Sequence, residues 1–360
     1  MKSADLTTTK HPKKHISING LSAVIMLLTG AIFLFQSCNS NAPLRKTDRQ
    51  FLLDTVCTLT LPEGTKDTVF SEVFSHIKKI ETRMSAHSEE SEVTAISRSG
   101  TKGAIVSKDT FQVIQEGLTL SEKSNGLYDI TIAPLVNVWG IGTEQQKVPT
   151  EKEIKSILPL IDYKKVQLDK STHRVTLENP NMKIDLGGIA KGYAADEAAR
   201  ILKMRGIKRA IINFGGNIYM LGEKTSGDLW RIGIQNPDDT PGTYIGILKS
   251  KETAVVTSGT YERYFIKDGK KYHHIFDPRT GYPVRNSLLS VSIITEKAIQ
   301  ADGMSTTIFL LGLEKGMQYV EQAKGMEAIF VTKDRTIYPS SGIKDRFAVT
   351  NENYRLNKEE

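Results

Sequence analysis

The amino-acid sequence predicts an α+β fold, with mixed or antiparallel strands and helices packed on them in one composite domain around a cleft. Three observations carry this. Val69, Phe70, Val73, Phe74, Ile77, Ile80 and Met84 recur at three- and four-residue spacing, which lays one apolar stripe along a helix over 67–84. Short strand-like runs follow one another from 209 to 258. Asp268-Gly269 stands between two further runs, 261–266 and 271–276, as a hairpin turn.

In chain order, Lys13, Lys14 and His15 precede an apolar run from Leu21 to Phe35, the length of a signal h-region rather than of a full membrane span. Cys38 follows directly. This resembles a bacterial lipoprotein signal, which implies an exported chain with a signal at 1–37, lipidated at Cys38 and tethered to a bacterial membrane facing the periplasm by a polar stretch, 38–50. The same length also fits a short uncleaved anchor. The remaining cysteine, Cys57, then has no disulfide partner and reads as a buried small apolar residue.

The folded domain is expected over 51–346, ahead of a polar tail at 347–360. Phe51 to Leu61 reads as a strand, and 91–96 as a short turn or helix. Asp109 is placed to cap a helix that ends near Asn125-Gly126. The apolar, Gly- and Pro-punctuated run 126–142 reads as pocket wall, and Thr150 with Glu153 as a capping box. Runs 164–168, 174–177 and 183–186 read as strands, the last passing through Gly187-Gly188 into a helix that reaches Met204. Strand 288–295, a helix through Asp302 and Thr306, another over 314–323 and a hairpin at Lys333-Asp334 complete the series.

Composition is globular, with 39% hydrophobic and 25% charged residues. The formal charge is +7, but Lys2, Lys10, Lys13 and Lys14 against Asp5 place +3 of it before Cys38. The remaining +4 forms no basic and aromatic pattern, so no nucleic-acid partner is expected.

Two stretches concentrate chemistry. YHHIFDPRTGYP, 272–283, packs two histidines, an aspartate and an arginine into a strand ending in a turn. ADGMST, 301–306, sets Asp302 and Thr306 four residues apart on one helix face, where a carboxylate and a hydroxyl suit a hard cation such as Mg²⁺. His274 is the candidate general base, because histidine titrates near working pH, and Asp277 the group to orient it. In a regular strand His273 points to the opposite face. Tyr128 and Trp139 read as core or pocket wall.

With these segments in hand, the chain from about 50 to 345 resembles the ApbE family of FAD:protein FMN transferases. The matching stretches are GLYDITIAPLVNVWGIG, DLGGIAKGYAAD, NFGGN, SGTYERYF, HHIFDPRTG and ADGMSTTIFLLG. The resemblance implies a T-fold-related domain around a central cleft. It further implies a metal held by the carbonyl of Gly188 with Asp302, Ser305 and Thr306, and FAD contacts at Val56, His87, Leu127, Tyr128, Asp129, Asp185, Lys191 and Phe276. Positions 56 and 87 often carry Met and Tyr in relatives. The implied reaction is Mg²⁺-dependent: the FMN phosphoryl of FAD passes to a Thr or Ser hydroxyl of a client flavoprotein and AMP leaves. Implied clients are flavin-bearing subunits of Rnf-type or sodium-pumping NADH:quinone oxidoreductase complexes. Two alternatives share the pocket: a lipoprotein that binds flavin without transferring it, and a Mg²⁺-dependent FAD pyrophosphatase giving FMN and AMP.

Overall fold

The computed structural model describes residues 43–224, 227–239 and 242–357. The signal run and Cys38 lie outside the described residues. The elements in chain order are β1 (Leu44–Leu52), β2 (Thr55–Pro62), α1 (Asp67–Met84), α2 (Glu92–Ser99), β3 (Ala104–Ile105), α3 (Lys108–Lys123), α4 (Ala133–Trp139), α5 (Glu151–Ile157), β4 (Val166–Asp169), β5 (Arg174–Leu177) and α6 (Ala190–Met204). Then come β6 (Ala210–Phe214), β7 (Asn217–Leu221), β8 (Trp230–Gln235), β9 (Tyr244–Ser250), β10 (Thr253–Gly259), β11 (Tyr264–Lys267), β12 (Lys270–His273), β13 (Phe276–Asp277), β14 (Tyr282–Pro283) and β15 (Leu288–Thr295). The chain ends with α7 (Ala298–Leu311), α8 (Leu313–Gln322), β16 (Met326–Thr332), β17 (Thr336–Pro339), β18 (Phe347–Val349) and β19 (Arg355–Leu356).

A nine-stranded sheet in the order β1-β2-β6-β7-β10-β15-β16-β17-β19 forms the frame. Its pairs are antiparallel except the parallel β17–β19 pair, so the expected α+β class with mixed pairing is the one observed. Period-two alternation sorts its side chains between two cores. Ala254, Val256, Val291, Ile293, Ala328 and Phe330 face the large core shared with helices α1, α3, α6 and α7. Val255, Ile294, Ile329 and Val331 face the opposite core, with Trp230, Ile232, Leu248 and Phe347 of the three-stranded sheet β18-β9-β8. The result is three layers: helices, large sheet, small sheet.

Several boundaries differ from the sequence reading. Residues 44–50, expected in the tether, pair with β2 through a turn at Leu53 and Asp54, both left-handed with φ of 56° and 57°. Their polarity is that of an edge strand facing solvent. Ser107, not Asp109, caps α3, accepting from the Thr110 N–H, while Asp109 takes Arg83 and the Tyr193 hydroxyl. Within 126–142 a helix does form, α4, with Pro134 in its first turn where a missing N–H costs nothing.

Residues 183–186 are not a strand. Met182, Ile184 and Leu186 alternate inward, but among the described residues no strand pairs with this segment: the Asp185 N–H donates to Ile130 O and Leu186 O accepts from Ile189 and Ala190, so burial without a ladder produced the pattern. The 272–283 stretch is likewise not one strand: it breaks at His274 between β12 and β13. The tail is folded through 357, since β18 pairs with β9, β19 pairs with β17, and Tyr354 is buried against Asn236 and Asp238. Among the described residues no helix is long and apolar enough to cross a membrane.

Candidate active site

The site is built on the crossing of α6 and α7. A Cβ at Gly192 would collide with the Ala298 carbonyl, so glycine is what allows the helices this close. Two polar contacts fix the crossing. The Gly192 N–H donates to Asp302 Oδ2 at 2.8 Å, and both oxygens of Asp196 accept from the first N–H groups of α7, Ala298 at 2.8 Å and Ile299 at 3.0 Å. Asp196 is thus the N-terminal cap of the helix that carries Asp302. Burial is the main cause that pushes its carboxyl up to about 6.

Asp302 is 5% exposed, and its Oδ1 has no hydrogen bond among the described residues. A buried aspartate with one oxygen uncommitted is a setting that favours a nearby positive charge. Ser305 is buried one turn along, its hydroxyl donating to Asp302 O. Ser258, from β10, meets the Ser305 hydroxyl at 2.7 Å and the Thr306 hydroxyl at 3.4 Å.

Tyr128 links this helix to the glycine turn. A Cβ on Gly188 would lie 3.5 Å from the Tyr128 hydroxyl oxygen. The phenol is held well above its usual range by burial first, then by the charges of Asp302, Asp185 and Asp129. Asp302 and the turn at Gly188 therefore share one neighbourhood. An all-oxygen donor set of carboxylate, hydroxyls and carbonyl fits a hard divalent cation, Mg²⁺ before zinc. Among the described residues no three His, Cys, Asp or Glu side chains group as a metal site, so hydroxyl and carbonyl oxygens must complete any such set.

His274 is held by one backbone carbonyl. Arg263 O accepts from its N–H at 3.1 Å and from Nδ1 at 3.2 Å. The carbonyl can only accept, so Nδ1 carries the proton and Nε2 presents a lone pair. Burial lowers this imidazole to about 4, the Arg263 carbonyl opposing and the charges of His273, Arg263 and Lys191 assisting. His274 is therefore neutral at pH 7. Lys191 reaches the Gly187 carbonyl at 3.2 Å, which holds its ammonium against the glycine turn.

Other expected residues have different tasks. Asp277 does not orient His274: both its oxygens hold Arg279, at 2.9 and 2.7 Å, and that ion pair keeps its carboxyl below the usual range against the raising effect of burial. Asp129 is also engaged, Oδ1 with Thr131 and Oδ2 with the Tyr163 N–H, and burial raises it. Leu127 is core. Phe276 packs on Trp139 with ring centroids 5.6 Å apart. Asp185 Oδ1 accepts from the Gly187 N–H, shaping the turn.

Val56 is 53% exposed near the β1–β2 turn, and its carbonyl accepts from Gly215 of the NFGGN turn at 3.3 Å. His87 is exposed after α1, its backbone N–H donating to the Ser85 hydroxyl. His273 turns inward, its Nε2–H donating to Val284 O. Cys57 is buried and its thiol pushed up to about 12, chiefly by burial, which leaves it inert. Sequence reasoning missed Ser258 and Asp196 as parts of the site, although both stand in the stretches that carry the family resemblance.

Comparison with known proteins points to one family. The ApbE family model matches residues 53–330. A FAD:protein FMN transferase of Klebsiella pneumoniae is 40% identical over 291 residues, covering 81% of this chain and 90% of the relative. One from Treponema pallidum is 31% identical over 342 residues, 89% and 94% of the two chains. The crystal structure of an ApbE protein from Thermotoga maritima superposes with a TM-score of 0.77 at 33% identity, covering 84% of this chain and 98% of that one. By family match, sequence identity and fold together, the chain belongs to the ApbE family.

Proposed function

We propose that this chain transfers FMN from FAD to a hydroxyl of a client protein. The observation that carries the reading is a buried Asp302 whose Oδ1 has no hydrogen bond among the described residues, together with a neutral His274 whose Nδ1 is tied to the Arg263 carbonyl, leaving Nε2 to accept a proton. Relatives named FAD:protein FMN transferase support it.

A threonine or serine oxygen attacks the FMN phosphorus of the FAD diphosphate. The new O–P bond forms as the bridging P–O bond breaks and AMP leaves. The hydroxyl proton goes to His274 Nε2, whose ring the Arg263 carbonyl holds in the accepting tautomer. Lys191, anchored on the Gly187 carbonyl, supplies a positive charge beside the turn for the diphosphate. Asp302, Ser305, Thr306 and the Gly188 carbonyl would hold Mg²⁺, which when bound neutralises the diphosphate and stabilises the leaving phosphate.

The finer reading is that the clients are flavin-bearing subunits of Rnf-type or sodium-pumping NADH:quinone oxidoreductase complexes. It also places the chain outside the cytoplasm, anchored through lipidated Cys38 to a membrane facing the periplasm. The basic segment and apolar run before Cys38 support that placement.

Purified protein mixed with FAD, Mg²⁺ and an apo-client tests the reaction. Covalently fluorescent client with stoichiometric AMP is the expected result. FMN and AMP with unlabelled client would replace transfer by hydrolysis, and unchanged FAD would replace it by storage.

A further inference from the structure

β11 and β12 form a two-stranded ribbon separate from the large sheet. Tyr264 pairs with His273 at one end and Lys267 with Lys270 at the other. Its root is therefore at Arg263 and His274, where the candidate base is held. At roughly 3.4 Å per residue, the ribbon extends on the order of 10 Å from that root.

Period two gives the ribbon two unlike faces. Phe265 and Tyr272 stack at 5.4 Å on one, and Tyr272 lies 5.5 Å from the Trp139 ring, which covers this side. The other carries Tyr264, Ile266 and Lys271. Ile266 is 66% exposed and Tyr264 44%, with Lys271 Nζ 4.0 Å from the Tyr264 ring centre. Among the described residues neither strand has a further strand on its outer edge. Arg263, Lys267, Lys270 and Lys271 outnumber Glu262 and Asp268, so the ribbon and its root are net positive.

We infer that the open face and edge of this ribbon dock an extended acidic segment of the client, laying its acceptor hydroxyl beside His274. Open strand edges bind extended chains through backbone hydrogen bonds, and exposed apolar side chains supply the pockets for alternate residues. The occupant is identified by charge complementarity and by the ribbon's continuity with the base. The inference rests on the transferase reading and adds to it where the protein substrate binds.

The test uses the full chain with FAD, Mg²⁺ and, as probe, the apo form of a flavin-bearing subunit of a sodium-pumping NADH:quinone oxidoreductase. Ile266→Asp and, separately, Lys271→Glu are expected to raise KM for the client about tenfold, a hot-spot-sized effect. In both, kcat should stay within about twofold and FAD affinity should not change, because neither side chain is among the groups assigned to the base, the cation or the diphosphate. The lysine variant should also flatten the salt dependence of KM.

Wild-type KM in both variants overturns the docking inference alone. Absence of covalent flavin with the wild-type chain overturns it together with the transferase reading. If instead anionic phospholipid vesicles lose the protein on lysine reversal, or a dimer dissociates on Ile266→Asp, with client KM unmoved, the ribbon belongs to lipid or to a second copy and the inference falls.

Discussion

His274 shows how one side chain's surroundings set its chemistry. Its folded value, about 4, lies below the ordinary 6.5, so the imidazole stays unprotonated as pH falls through the range where an exposed histidine charges. Transfer measured as kcat/KM should therefore be level from about pH 5.5 to 8 and fall only as pH drops toward 4. A midpoint near 6.5 would remove His274 as the base held in this environment. His274→Ala should slow transfer by on the order of 10²-fold or more while leaving FAD binding intact. Ser258 acts at one remove, through hydroxyls on the helix of Asp302. Ser258→Ala is expected to weaken Mg²⁺ binding to the FAD-loaded protein about tenfold, read by calorimetry, with the fold unaltered. An unchanged Mg²⁺ affinity would make its hydrogen bonds purely structural. Linear spacing could not reveal this residue, because 47 positions separate it from Ser305 and only the β10–α7 packing joins them.

Among the elements, α7 matters most, and its aim depends on α6. Asp196 receives the first two N–H groups of α7, and Gly192 holds Asp302 one turn earlier on α6. Asp196→Ala should cost about 1 kcal/mol of stability, a lowering of Tm by a few degrees, and also weaken Mg²⁺ binding. Asp196→Asn, which keeps one acceptor, should recover part of both. Loss of stability with wild-type Mg²⁺ affinity would show that the cap does not aim Asp302. Element legibility followed the strength of the local pattern. The stripe from Val69 to Met84 gave α1 to the residue, and β-branched residues bounded β15 at 288–295. β1 was hidden because an edge strand facing solvent carries the charges of a linker, Arg45, Lys46, Asp48 and Arg49. α4 was hidden because seven residues opened by Ala-Pro and closed by Gly140 have too few turns for a helical period to emerge.

Across the whole molecule, three layers bring together groups from well-separated parts of the chain. Tyr128 follows α3, Gly188 precedes α6, Ser258 ends β10, His274 roots the ribbon and Asp302 lies in α7. The family pattern made most of these residues legible. Pairing, burial and helix crossing decided the tasks that pattern left ambiguous, giving Asp277 to Arg279 and the orientation of His274 to a backbone carbonyl. The proposed divalent cation would sit between the Gly188 turn and the start of α7. Anomalous scattering from crystals grown with FAD and soaked in Mn²⁺ would locate it. A single strong peak is expected about 2.1 Å from Asp302 Oδ1 and the Gly188 carbonyl oxygen. A peak elsewhere, or bound FAD with no peak beside Asp302, would contradict it.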